Sequence, residues 1–128
     1  MSIDIKKNFW GKKQIFNYQQ AKNLKYLPCQ YAKQIEKAGA GEILLNSVDQ
    51  DGVMQGYDLD LIAEIANYVD IPMIACGGAS KLDDFAAALK AGADAVAAGS
   101  LFVFKGRQRG VLINYPSQEQ LEQLLGPI

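Results

Sequence analysis

NSVDQDG, IACGG and AAGS each carry an apolar run straight into small residues: Gly52, then Gly77 and Gly78, then Gly99 and Ser100. Small residues at strand ends let backbone N–H groups approach a ligand closely, and an anion such as phosphate is the natural guest. One such stretch would mean no more than a tight turn. Three at the same end of one sheet favour a phosphate site. Acids stand at those ends too: Asp49 and Asp51 follow NSV, and Asp4 sits at the tip of SIDI. A lone acid there is more often a loop or helix cap than a catalyst. Asp4 is followed by polar KKNFWG rather than by a helix, so it is the candidate for proton transfer. Cys76, between Ala75 and Gly77, reads as small-residue packing before it reads as a nucleophile.

The chain has no histidine, which excludes a His-based triad or zinc site and leaves acid–base work to carboxylates, Cys, Lys or Tyr. Cys29 and Cys76 match no metal spacing and make no disulfide framework. No metal and no cofactor are expected. Thirteen basic against fourteen acidic residues give a net charge of −1, with nothing to recruit nucleic acid. Lys6, Lys7, Lys12, Lys13, Lys22 and Lys25 cluster early and read as a solvated loop. No apolar run approaches the ~20 residues that span a bilayer and no leader is visible, which predicts a cytoplasmic address and no membrane partner.

The elements that must position these residues follow a strand–helix beat. With 128 residues, 49% of them hydrophobic, there is enough chain for one domain with a real core. SIDI is a first strand. Pro28 opens a helix in which Ala32, Ile35 and Ala38 recur before Gly39 stops it. EILLNSV (42–48) is a strand, and 59–69 a helix with Leu61, Ile62, Ile65 and Val69 on one face. IPMIAC (71–76) is a strand, 81–92 a helix and 94–102 a strand entering a short turn or helix. A last helix over 117–125 is capped by Ser117. The pattern predicts an α/β fold with a parallel sheet covered by helices, in one domain over 1–128 with βα units at about 2–38, 42–69, 71–92 and 94–125. Residues 6–27 break the beat as a long polar excursion with a small hairpin through QIFNY.

GAGEILLNSVDQDGVMQGYDLDLI, IPMIACGGAS and AAGSLFVF resemble the cyclase subunit of imidazole glycerol phosphate synthase, a (β/α)8 TIM barrel. The resemblance covers nearly the whole chain but only strands five to eight of the family. It implies a C-terminal (βα)4 half-barrel and a cyclase/lyase reaction. In that reaction ammonia from a glutaminase subunit cleaves and cyclises a phosphoribulosyl-formimino nucleotide to imidazole glycerol phosphate, in histidine biosynthesis. Residue by residue it makes Asp4 the catalytic aspartate of strand five. It makes Asp51, Gly52, Gly77, Gly78, Gly99 and Ser100 a clamp for a phosphorylated small-molecule substrate, and Glu42 part of an ammonia gate.

Two departures belong beside it. FVFKGRQRGVLINYP is more similar to a sister group from surface-polysaccharide clusters, thought to supply ammonia for amidation of an acetamido sugar. Cys76 stands where the histidine enzyme usually has serine. A full barrel takes ~250 residues, so the other catalytic aspartate and the other phosphate site have no counterpart. The missing N-terminal half-barrel, or a second copy closing the ring by dimerisation, is the expected partner. A catalytically silent half-barrel that only binds phosphate is the remaining alternative. An isolated four-stranded sheet is expected to leave two unpaired edges and an inner face of isoleucine and valine.

Overall fold

The computed structural model describes residues 1–106 and 108–127. The chain begins with strand β1 (Ser2–Lys7), β2 (Lys13–Asn17) and β3 (Lys22–Asn23), then helix α1 (Pro28–Lys37) and β4 (Ile43–Ser47). Next come α2 (Leu59–Ala66), β5 (Met73–Cys76), α3 (Asp83–Ala91) and β6 (Ala95–Ala97). The end consists of α4 (Ser100–Val103), β7 (Phe104–Lys105), β8 (Gly110–Val111) and α5 (Gln118–Leu125).

The main sheet has the order β3-β2-β1-β4-β5-β6. β1, β4, β5 and β6 are parallel, in the order in which they occur along the chain, and α1, α2 and α3 lie in the connections between them. That is an α/β fold with a parallel sheet. The polar excursion is more ordered than its composition suggests: β2 returns antiparallel to β1, pairing Ile5 with Ile15, and β3 adds to β2. β1 therefore runs on through Lys6 and Lys7, which the sequence reading assigned to the loop. Its last residues are the first arm of a hairpin.

Alternation sorts the side chains. Ile3, Leu45, Ala75 and Val96 are register partners on one face, with Ile5 and Ser47 a row above and Ile43 and Met73 a row below. This face packs on Ala32 of α1, Leu61, Ile62 and Ile65 of α2, and Phe85 and Ala88 of α3, all buried. Each fully buried Ile or Leu here contributes about 1.5–3 kcal/mol. The opposite face carries Ser2, Leu44, Ile74 and Ala95 in one row and Asp4, Asn46, Cys76 and Ala97 in the next. The expected inner face of isoleucine and valine is thus corrected: Ile3, Ile5 and Val96 point to the helices, and Leu44 and Ile74 are the large aliphatics on the inner side. The period of two decides this, because residues flanking an inner acid must face outward.

Helices are shorter than their periodic stretches. α2 ends at Ala66, with Val69 buried in the turn that follows, and α3 begins at Asp83 and stops at Gly92 in the left-handed conformation, φ 118°. Ser117 caps α5 in a capping box with Gln120. Among the described residues, no helix is long and apolar enough to cross a membrane.

Candidate active site

The site is assembled by strand register and by the loops that leave the strands. Asp4 is the third residue of β1 and next to last in its ladder with β4, where it faces Asn46. Asn46 in turn faces Cys76, and Cys76 faces Ala97. Four parallel strands thus present Asp4, Asn46, Cys76 and Ala97 in one row across the inner face. Adjacent strands lie about 4.8 Å apart, so Asp4 and Cys76 are separated by roughly 10 Å. Asn46 Nδ2 donates to Asp4 Oδ1 at 2.9 Å.

One step beyond this row, the loops after β4, β5 and β6 meet. Asp51, Gly52, Cys76–Ala79 and Ala98–Ser100 line a single shallow cleft at the carboxyl end of the sheet. All six residues proposed for the phosphate clamp fall in it. A Cβ on Gly52, which has φ 73°, would come within 4.0 Å of Ser100 Oγ, so the first and third loops stand side by side. The N–H groups of Gly52, Gly78, Gly99 and Ser100 meet no protein acceptor among the described residues.

The glycines differ in why they are needed. At Gly78 (φ 107°) a Cβ would stand 2.2 Å from the carbonyl oxygen of Gly56, whose N–H donates to Gly78 O at 2.7 Å. At Gly77 (φ 93°) it would stand 2.6 Å from Ser47 O. These two glycines are required by the packing of neighbouring loops, whatever the cleft holds. A Cβ on Gly99 would meet nothing within 4 Å, so no packing contact requires a glycine there.

The other acids are engaged structurally. Asp49 Oδ2 accepts from Lys7 N at 2.6 Å and holds the end of β1. Asp58 caps α2 by accepting from Leu61 N, and Lys13 Nζ of the hairpin lies 2.7 Å from it. Asp84 accepts from Ser80 N, Ser80 Oγ and Lys81 N. Burial pushes its carboxyl up, but these hydrogen bonds together outweigh burial and hold it below the ordinary value. Because Asp84 fills the turn that enters α3, an anion in the cleft is left to the loop N–H groups. Burial is the largest influence raising the Cys76 thiol, with the Asp51 and Asp4 charges adding to it. The thiol is therefore poorly suited to nucleophilic attack at neutral pH. Burial likewise raises the Tyr57 hydroxyl, which donates to Ala97 O at 2.8 Å and buttresses β6 from the helix side.

Glu42 stands apart. It precedes β4 at the opposite end of the sheet, is exposed, and receives the Met1 amine on its carbonyl oxygen at 3.0 Å. Asn46 is the inner-face residue that sequence reading passed over. The available signal was a single amide inside the apolar run EILLNSV, in phase with Asp4.

Residues 1–108 match the family model described as histidine biosynthesis protein. The chain belongs to this family. It is a family of TIM barrels, and a parallel sheet of four βα strands in 128 residues is a partial barrel of that kind. A Pseudomonas aeruginosa protein named, provisionally, as imidazole glycerol phosphate synthase subunit hisF2 is 46% identical over 122 residues, covering 94% of this chain and 49% of that protein. A Vibrio vulnificus protein provisionally named hisF3 is 43% identical, covering 96% and 48%. The imidazole glycerol phosphate synthase subunit HisF of Streptomyces avermitilis is 43% identical over 104 residues, covering 81% and 41%. The chain spans about half the length of the curated relatives it matches. Among solved structures, FabK from Thermotoga maritima superposes with a TM-score of 0.51 at 29% identity, over 61% of this chain and 25% of that one.

Proposed function

We propose that this chain is the strand-five-to-eight half of a cyclase-type barrel and works in ammonia-dependent synthesis of imidazole glycerol phosphate. The convergence of three βα loops on one cleft, at the same end of the sheet as Asp4, carries this reading. The cleft N–H groups bind the phosphate of a phosphorylated substrate. Asp4, about 10 Å away along the inner face, transfers protons at the reacting end. Cleavage with ring closure calls for a second acid–base group, which comes with the other half of the barrel. That half covers the edge of β6 and the first residues of β1, which have no strand beyond them among the described residues. It is an N-terminal (βα)4 half-barrel or a second copy of this one. A glutaminase subunit supplies ammonia at the Glu42 end, away from the cleft. The setting of such an enzyme is the cytoplasm.

The test is turnover. The purified chain is mixed with the amino-terminal half of the Pseudomonas aeruginosa relative and given ammonium and the phosphoribulosyl-formimino nucleotide, and imidazole glycerol phosphate is measured. Formation that depends on both halves supports the proposal. If no product forms with either the complementary half or the chain alone, the proposal fails.

A second reading has one observation in its favour. The stretch FVFKGRQRGVLINYP forms the β7–β8 hairpin and an exposed apolar run in which Val111, Leu112, Ile113 and Tyr115 are uncovered; Arg107, within it, lies outside the described residues. This surface suits a chain that hands ammonia to a separate amidotransferase acting on an acetamido sugar. Ammonia-dependent amidation of such a sugar, without imidazole glycerol phosphate, would favour that reading. Phosphate binding with neither product would leave a silent binding module.

A further inference from the structure

We propose that Asn46 is a positioning residue for Asp4: its side-chain amide fixes the carboxylate so that one oxygen faces the reacting atoms. The inference rests on the reading that Asp4 transfers protons, and it adds a residue to that machinery. Asn46 and Asp4 are register partners on adjacent parallel strands, and Nδ2 donates to Oδ1 at 2.9 Å. Among the described residues no lysine or arginine pairs with Asp4, and no other side chain donates to it. The direction in which the carboxylate points therefore depends on this one contact. Oδ2 is left open toward the inner face.

The amide can take only one orientation. An ionised carboxylate is purely an acceptor, so the NH2 must face it and Oδ1 must face the other way. There Oδ1 lies against the Gly77 backbone, where a Cβ would approach it to 3.1 Å. It is buried and, among the described residues, has no donor. An unpaired buried amide oxygen is unfavourable, and a strand position that served packing alone would hold an aliphatic residue, as Leu44 and Leu45 do on either face. Asn46 is thus kept at a local cost. Orienting Asp4 is the interaction that offsets it. Gly77 completes the arrangement, since any side chain there would push the amide out of line.

Two measurements test the inference, one on the chain alone and one on the reconstituted barrel. In the labelled chain, one Asn46 side-chain amide proton should lie downfield of its twin, and Asp4 χ1 couplings should report a single rotamer. Asn46→Leu, nearly isosteric, should average the Asp4 rotamers while the melting transition shows the fold intact. In the barrel, Asn46→Leu should lower kcat by roughly 10²-fold, the scale of a misplaced catalytic group, with KM within about twofold of the starting value. Asn46→Asp, which replaces the donor by a repelling carboxylate, should lower kcat at least as far. It also serves if the leucine variant fails to fold. An unchanged Asp4 rotamer, or unchanged kcat, in a folded donor-free variant overturns the inference. If Asp4→Asn abolishes turnover while Asn46→Leu does not, the inference alone falls. If Asp4→Asn retains turnover, the reading beneath it falls as well.

Discussion

Lys13 Nζ lies 2.7 Å from Asp58 Oδ2, and through this pair the β1–β2 hairpin is fastened to the residue that caps α2. Both side chains are largely covered, with 26% and 14% of their surfaces exposed. Asp58 therefore does two jobs, taking the Leu61 N–H at one end of the helix and the ammonium of the hairpin beside it. Asp58→Ala should cost about 1–2 kcal/mol, the size of a lost N-cap, while Lys13→Met should cost less than about 1 kcal/mol, as for a partly exposed pair. Urea denaturation of both variants decides it. Equal losses would show that the cap contributes nothing beyond the ion pair.

This pair also shows where sequence reading stops. The strands and helices after residue 28 were legible because each is a short apolar run or a 3.6-period face beside a glycine or proline signal. The hairpin was half-legible: QIFNY has strand-like residues, but its partner is the tail of β1, which reads as polar because Lys6 and Lys7 lie in it. Early lysines looked like a solvated loop. Lys13 is instead matched to Asp58, 45 residues further along the chain, and pairings of that range leave no local trace. The cleft glycines were legible as a set. Their separate reasons were not, because the carbonyl facing Gly78 belongs to Gly56, and only the folded loops bring those two together. Asn46 was missed because one polar residue in an apolar run gains meaning only through register with Asp4.

The glycines separate packing from ligand binding. Gly78→Ala puts a Cβ into the Gly56 carbonyl at a positive φ and should destabilise by more than about 2 kcal/mol. Gly99→Ala meets no protein atom within 4 Å and should change stability by less than about 1 kcal/mol. Gly99 nonetheless lines the cleft. Inorganic phosphate should raise the melting temperature of the unmodified chain, as any ligand of the native state does, and should do so much less for Gly99→Ala. An equal phosphate shift in both proteins would move the anion away from this cleft.

Acid should loosen the turn before α3. Burial raises the Asp84 carboxyl, but the hydrogen bonds from Ser80 and Lys81 prevail and its folded value lies below 3.8. A depressed carboxyl contributes stability that is fully present above its unfolded value and is lost as pH falls through the folded one. The Asp84 contribution should therefore persist at neutral pH and fade below pH 3.8. Asp84→Asn should be less stable than the unmodified chain at pH 7, and the gap should narrow as the solution is acidified. A gap that stays constant with pH would mean that the carboxylate charge does not hold this turn.

The last prediction concerns the edges of the sheet. Among the described residues, β6 has no strand beyond it, and β2 reaches only the second half of β1, through Ile5, Lys6 and Lys7. Ser2, Ile3 and Asp4 therefore present an unpaired edge at one side of the parallel sheet and β6 presents another. Unpaired N–H and C=O groups of this kind template further strand pairing, and Leu44 and Ile74 on the inner face lie between the two edges. The isolated chain of 14.0 kDa should therefore sediment as a larger species. Adding the complementary half of a relative should convert it to a one-to-one complex, since heterologous edges would then close the ring. Replacing Ala97 at the β6 edge by proline, which cannot donate to a ladder, should weaken both associations. A strict 14.0 kDa monomer that ignores the complementary half would show that these edges recruit no partner.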